Sequence, residues 1–209
     1  MKSDILFILK GLGLTVNLYL ITLFLSLPLG IIISLGRLKN RGILNNIILF
    51  YTSLFRGTPL LLQLFFVYYG LPMVLGIRFT PFTSAVVTFV INYTAYFCEI
   101  FRGSISGIDK GQYEAAKVLG MSYWQTMRRI IIPQSLLTAL PPLSNEAISL
   151  IKDTSLVSAI GMAEILRNSR ELVTRDFSVV PFIICAILYL LMSVVVIAFF
   201  KKLEEKVMI

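Results

Sequence analysis

The chain has 209 residues, 57% of them hydrophobic and only 14% charged, with a mean hydropathy of +0.85. A soluble domain is about 45–50% apolar and about 25% charged, so this surplus of apolar side chains exceeds what a soluble core of this size can hide. The net charge of +8 does not point to nucleic acid, because the basic residues form short clusters between hydrophobic runs: Arg37, Lys39 and Arg41; Arg128 and Arg129; Lys201, Lys202 and Lys206. That placement follows membrane topology rather than a phosphate-binding face.

A helix needs about 20 residues to cross the hydrocarbon layer. Leu12 to Leu35 meets that length without a charge and ends at Gly36-Arg37. No cleavable leader is expected before it: Lys2 is followed by Asp4, and no small-residue cleavage site closes a short apolar core. The second apolar region, Ile43 to Leu71, is interrupted by Arg56-Gly57-Thr58-Pro59. It reads either as one crossing with a break or as an interfacial entry followed by a helix. Thr58 is expected to cap the second part and Pro59 to lie in its first turn. Arg56 would stabilise the break or snorkel to the interface.

A third crossing runs from about Phe82 to Phe101. The stretch from Asp109 to Arg129 suits a helix but is too charged to span. The fourth hydrophobic region, Ile130 to about Ala163, is interrupted by Pro141-Pro142 and carries Asn145, Glu146, Ser149, Lys152, Asp153, Thr154 and Ser155. Pro181 to Phe200 is the fifth crossing, apolar throughout. The expected fold is therefore all-α: one transmembrane domain over residues 1–209 with about five crossings. An outside N-terminus and a cytoplasmic C-terminus put most of the basic residues inside, as the positive-inside rule requires. The stretch Asp109–Arg129 is then cytoplasmic.

Cys98 and Cys185 lie in apolar runs and read as inert buried thiols. Histidine is absent from the sequence, which removes the commonest metal ligand and general base; no metal site and no catalytic residues are expected.

In the cytoplasmic stretch, Tyr113, Ala116 and Lys117 share a helical face, with Gly120 just beyond. Glu114 lies near the helix start, where its charge suits the dipole, and Gly120 is placed to end the helix. Ala115 and Ala116 allow another surface to approach closely. Such a helix docks into a groove on a soluble partner or lies on lipid headgroups, and these residues alone leave both readings open.

The spacing Glu114-Ala115-Ala116, three residues, Gly120, nine residues, Ile130, one residue, Ile132-Pro133 resembles the EAA loop of permeases of ATP-binding-cassette (ABC) importers. Ile132 stands where leucine is usual, a swap that keeps volume and apolarity. Arg56 to Phe66, Ala95 to Gly103, Asn145-Glu146 and Lys152 to Leu156 resemble signatures of polar amino-acid permeases, so the likeness covers nearly the whole chain. It implies the type I ABC importer fold, with a coupling helix in a loop over about 104–133. Tyr113, Glu114, Ala115, Ala116, Lys117, Gly120 and Pro133 would couple to the ATPase. The chain has no Gly-x-x-x-x-Gly-Lys-Ser/Thr loop, so no cofactor is expected on it. ATP and Mg would belong to a cytoplasmic ABC ATPase dimer. The other implied partners are a second permease copy or a paralogous permease, an extracytoplasmic substrate-binding protein, membrane lipids and an amino-acid substrate, polar or basic. The implied location is the inner or plasma membrane of a prokaryote.

Polar groups inside a span face a cavity or a partner. Thr88, Asn92, Tyr96 and Glu99 recur at helical spacing. They read as a substrate-facing stripe or as helix–helix hydrogen bonding, with Glu99 paired to Arg102. Asn145, Ser149 and Lys152 align on one face of the fourth region, with Glu146 and Asp153 on an adjacent one. Glu146 would meet the ammonium or basic side chain of an amino acid, or Glu146 or Asp153 would form a structural ion pair with Lys152. A membrane-embedded enzyme would have only Glu146 and Asp153 to work with. An ion channel would conduct without ATP.

Overall fold

The structure is a computed structural model that describes residues 2–39 and 42–207. Arg41 and the side chain of Lys39, both expected at the first cytoplasmic turn, lie outside the described residues. In chain order come α1 (Lys2–Lys10), α2 (Leu12–Lys39), α3 (Ile43–Gly57), α4 (Leu60–Phe65) and, after a π-helical turn Phe66–Gly70, α5 (Leu71–Leu75). Then come α6 (Pro81–Ser106), α7 (Lys110–Val118), α8 (Tyr123–Thr126), a second π-helical turn Met127–Ile131, and α9 (Ile132–Asp153). A 3₁₀ segment, Thr154–Ile160, leads to α10 (Ile165–Asp176) and α11 (Val180–Val207).

Among the described residues, three helical stretches are long and apolar enough to cross a membrane: Lys2–Leu38, Pro81–Ser106 and Val180–Lys206. The bent pair Ile43–Gly57 and Leu60–Leu75 makes a fourth if it is one span. The region expected as the fourth crossing falls outside that set because α9 carries Asn145, Glu146, Lys152 and Asp153 along its length. Its 22 residues still reach about 33 Å at about 1.5 Å per residue.

α6 is the central helix and packs against α2, α3, α4 and α9. Its start is written locally: Thr80 Oγ1 accepts from the Thr83 amide at 3.1 Å, and Pro81 fills the first helical position, where no amide partner is needed. The contact of α2 with α6 depends on small residues every fourth position. Thr22, Ser26 and Ser34 are buried, and a Cβ on Gly30 would lie 2.7 Å from Phe97 Cβ and 3.1 Å from the Cys98 amide nitrogen. Without a hydrophobic drive between helices in lipid, such close backbone approach is a main source of association. Ser26 returns its hydroxyl proton to the Thr22 carbonyl at 2.6 Å, whereas the buried Thr22 hydroxyl has no hydrogen-bond partner among the described residues.

The second apolar region turns by 103° between α3 and the α4–α5 segment. Its capping differs from the expectation. Thr58 Oγ1 donates back to the Leu54 carbonyl at 2.8 Å, and Pro59 takes the N-cap position of α4 without a side-chain cap. Thr58 thus closes α3 rather than opening α4, because the proline behind it holds it in extended backbone. Gln63 satisfies the freed carbonyls instead. Its Nε2 donates to Phe55 O at 2.9 Å and to Thr58 O at 3.1 Å, and its Oε1 accepts from Asn92 Nδ2 at 2.9 Å.

Pro141 and Pro142 do not interrupt the fourth region; α9 runs through both. Helices packed in a membrane domain tolerate proline where neighbours stabilise the segment, and α9 is held between α6 and α11. At the far end, α1 packs on α10 and α11 through Ile8, Ile165, Leu172 and Cys185. Gly11 permits this: a Cβ there would lie 2.4 Å from the Glu164 carbonyl carbon.

Candidate functional site

The cytoplasmic-type loop is a short helix with a defined beginning and end. Asp109 caps α7 by accepting from the Gly111 amide at 2.7 Å. At the other end Gly120 adopts φ +69°, the Gly120 amide donates to Lys117 O at 3.0 Å, and the Met121 amide donates to Ala116 O at 3.0 Å. Those two bonds make a Schellman cap, which needs the left-handed conformation that glycine takes at least cost. A capping box, Ser122 with Gln125, then starts α8 at once.

Two of the expected coupling residues hold the helix down. Ala116 is fully buried, and Tyr113 packs on the cluster of Ile105, Met127 and Ile131. The expectation that Tyr113, Ala116 and Lys117 act as one face therefore divides. Tyr113 and Ala116 point into the chain itself, whereas Glu114, Ala115 and Lys117 are exposed. Gly120 is exposed at the turn, and Pro133 is exposed in the first turn of α9. Burial pushes the Tyr113 hydroxyl above its ordinary pKa, with Tyr123 adding to the effect. Gln134 Nε2 reaches Gln112 Oε1 at 3.4 Å, tying α7 to α9.

Sequence reasoning missed the apolar part of this surface. Val118 and Leu119 are 88% and 77% exposed, and Tyr123 and Trp124 stand beside them. Their signal was available as four large apolar side chains in a stretch otherwise too polar to span. An exposed apolar and aromatic patch rimmed by charge is the mark of a protein-binding surface.

The polar residues of α6 are mostly engaged by other helices. Thr88 is the exception: its Oγ1 donates within α6, to Ser84 O at 2.7 Å. Asn92 Nδ2 donates to Phe55 O at 2.8 Å and to Gln63. Glu99 accepts from Arg37, from Arg102 Nε at 2.8 Å and from Thr52 Oγ1 at 3.2 Å. Tyr96 alone of the four stays half-exposed without such a bond, and Arg56 lies over its ring at 5.5 Å. Arg56 also approaches Glu99 at 4.0 Å.

On α9, Asn145 and Lys152 are exposed and Ser149 is half-buried, so that face lies open. Glu146 is half-buried beside it. Among the described residues no ion pair joins Lys152 to Glu146 or Asp153. Asp153 accepts from the Tyr93 hydroxyl at 2.7 Å instead, linking α9 to α6. Among the described residues no group of acidic and cysteine side chains is arranged to hold a metal, and Cys98 and Cys185 are buried and free.

Apolar spans packed around α6, with a capped helix offering an exposed surface at one end, define a multi-pass membrane protein. Residues 26–209 match the binding-protein-dependent transport system inner membrane component family, and the chain belongs to that family. It is 39% identical to the probable amino-acid ABC transporter permease protein YckA of Bacillus subtilis over 96% of this chain and 88% of that one. It is 37% identical to the glutamine transport system permease protein GlnP of Escherichia coli K12, over 97% and 93%. The arginine transport system permease protein ArtQ of Bacillus subtilis matches at 37%, over 96% and 92%. Among solved structures, an amino acid ABC transporter with histidines superposes with TM-score 0.88 at 33% identity, over 96% of this chain and 94% of that chain. The MetNI methionine ABC transporter in an inward-facing conformation shares the fold, with TM-score 0.79 at 14% identity.

Proposed function

We propose that this chain is a permease subunit that carries polar or basic amino acids across a prokaryotic cell membrane, driven by a separate ABC ATPase dimer. The observation that carries this reading is α7, a doubly capped helix whose exposed Glu114, Ala115, Lys117, Val118 and Leu119 form one outward surface. A helix fixed at both ends moves as a unit when a partner pulls on it. ATP and Mg are held by that partner. The surface of α7 faces the cytoplasm, with the N-terminus outside and the C-terminus inside.

A single chain cannot enclose a symmetric pathway, so a second copy or a paralogous permease completes it, and an extracytoplasmic binding protein delivers the amino acid. The open face of Asn145, Ser149 and Lys152, with Glu146 and Tyr96, lines the passage. Asn92 and Glu99 support it by bracing α6 against α2, α3 and α4, while Thr88 bonds within α6 to Ser84. Relatives that are amino-acid permeases support the substrate class.

Uptake by the assembled importer in vesicles, with its ATPase and binding protein and a panel of labelled amino acids, tests the reading. Uptake is expected only with ATP. Glu146→Ala is expected to lower uptake and the affinity of the transmembrane substrate site without blocking assembly. ATP-independent flux through the purified chain would refute the permease reading, and wild-type uptake kinetics in Glu146→Ala would remove Glu146 from the passage.

A further inference from the structure

Three arginines from three helices converge on one carboxylate. Arg37 of α2 and Arg102 of α6 both donate to Glu99, and Arg56 of α3 stands 4.0 Å from it. Three guanidiniums against one carboxylate leave two positive charges over, of which the Arg56 charge also interacts with Glu146. Among the described residues no other acid forms an ion pair with any of the three. Their donors also outnumber the acceptor sites, since each guanidinium carries five N–H groups and a carboxylate offers about four lone-pair sites. The Arg37 and Arg102 side chains are 15% and 34% exposed. That leaves access for a further anion but little water to screen the charge. Surplus cations at the edge of a membrane domain are costly without a counter-ion.

An apolar groove begins beside this cluster. Its volume is about 430 Å³, and it runs between α2 and α3, lined by Ile32, Gly36, Leu44, Ile47, Ile48 and Tyr51. Gly36 immediately precedes Arg37, and Tyr51 immediately precedes Thr52, which bonds Glu99. The groove and the cluster are thus built from adjacent residues of α2 and α3. Both lie at the α7 end of the molecule, where Leu35 and Leu38 pack with Tyr113 and Met127.

We propose that the cluster and groove form a site for one anionic phospholipid of the leaflet on the α7 side. Its phosphate lies against the free N–H groups of Arg37 and Arg102, and one acyl chain fills the α2–α3 groove. A guanidinium fork matches phosphate oxygens in geometry as well as charge. An anionic headgroup cancels one surplus charge. A zwitterionic headgroup brings its own cation and gains less.

The assembled importer in nanodiscs of phosphatidylcholine, with or without phosphatidylglycerol, provides the test, with retained lipid counted by native mass spectrometry. Phosphatidylglycerol should stay bound in preference to phosphatidylcholine. Arg102→Gln should weaken its retention about fivefold, the effect of one arginine near an anionic surface. Ile47→Trp fills the groove from an exposed position and leaves the ion cluster intact, so it should cause a similar loss even if Arg102→Gln fails to assemble. Equal retention of the two lipids by the native importer would overturn the proposal. So would phosphatidylglycerol retention that Ile47→Trp leaves unchanged. A bare importer, with the groove covered by the second permease copy, would overturn it too. Stabilisation by inorganic phosphate in detergent, equal to that by lipid, would reduce the site to a free-anion site and remove the groove from it.

Discussion

Replacing Gly120 separates the backbone demand of the proposed coupling surface from its packing. The residue sits at φ +69°, and a Cβ added there would meet nothing within 4 Å. The cost of a side chain is therefore conformational and not steric crowding. An L-residue in the left-handed region loses about 1 kcal/mol, which lowers the population of the capped geometry about fivefold. The rest of the domain does not share that cost, because Tyr113 and Ala116 anchor α7 independently. Asn tolerates this region better than Ala, and Val is worse because it is β-branched. The expected order for amino acid taken up per ATP hydrolysed is Gly, then Asn, then Ala, then Val, with thermal unfolding of the purified complex nearly unchanged. Gly120→Asp should fall below Asn because it adds a charge to the docking surface. Uptake and ATP hydrolysis measured together in vesicles give the ratio. An Ala variant equal to the native protein, an Asn variant worse than Val, or unaltered uptake by Gly120→Asp would refute the reasoning.

Gly30→Ala should destabilise by about 1–3 kcal/mol through forced separation of α2 from α6. Gly13→Ala, where a Cβ meets nothing within 4 Å, should stay within about 0.5 kcal/mol in the same thermal unfolding assay. Glu99→Gln leaves the partly buried Arg37 and Arg102 guanidiniums without their carboxylate and should cost about 3–5 kcal/mol, seen as loss of monodisperse protein on size exclusion. Adding Arg37→Met should recover part of that loss, and failure to recover would place the damage elsewhere. Gln63→Leu strips the Thr58 carbonyl of its donor, at about 1–3 kcal/mol for the group left unpaired, while the Phe55 carbonyl keeps its bond from Asn92. Faster amide exchange confined to Leu60–Phe65 is the expected readout, and unchanged exchange there would dismiss Gln63 as the staple of the break.

The membrane class and the helix positions were legible because lipid imposes length and apolarity on the chain. Leu12–Leu35 and Pro181–Phe200 fall inside α2 and α11 and start within one residue of them, although both helices run on beyond the expected ends. Gly120 was legible because a helix end in a polar stretch has few other solutions. The bend at Thr58 was visible as Gly57 and Pro59, but the staple was not. Gln63 acts on carbonyls five and eight residues away and on Asn92, far along the chain. The roles along α6 were hidden for the same reason. Spacing puts Thr88, Asn92, Tyr96 and Glu99 on one side of a helix. It does not say which neighbour lies there, and α2, α3 and α4 occupy much of it. α1 escaped notice because Lys2, Asp4 and Lys10 lower its apolarity, and only its packing on α10 explains its place.

The two ends of α9 give the domain a mechanical logic. At its start α9 follows α8 through a π-helical turn and is tied to α7 by Gln112 and Gln134. At its end the Asp153 carboxylate is held by Tyr93 of α6. Between them the side carrying Asn145, Ser149 and Lys152 is left open. A displacement of α7 therefore enters α9 at a single end, while α6 restrains the other. A helix loaded that way tilts rather than translates, so its open face turns most where it is farthest from Tyr93. Pro141 and Pro142 lie midway along α9. There the missing amide donors make the helix easier to bend. The polar face thus sits beyond the flexible point from α7 and next to the fixed one. A pull at the α7 surface then changes the angle between the two halves of α9 without breaking its contact with α6.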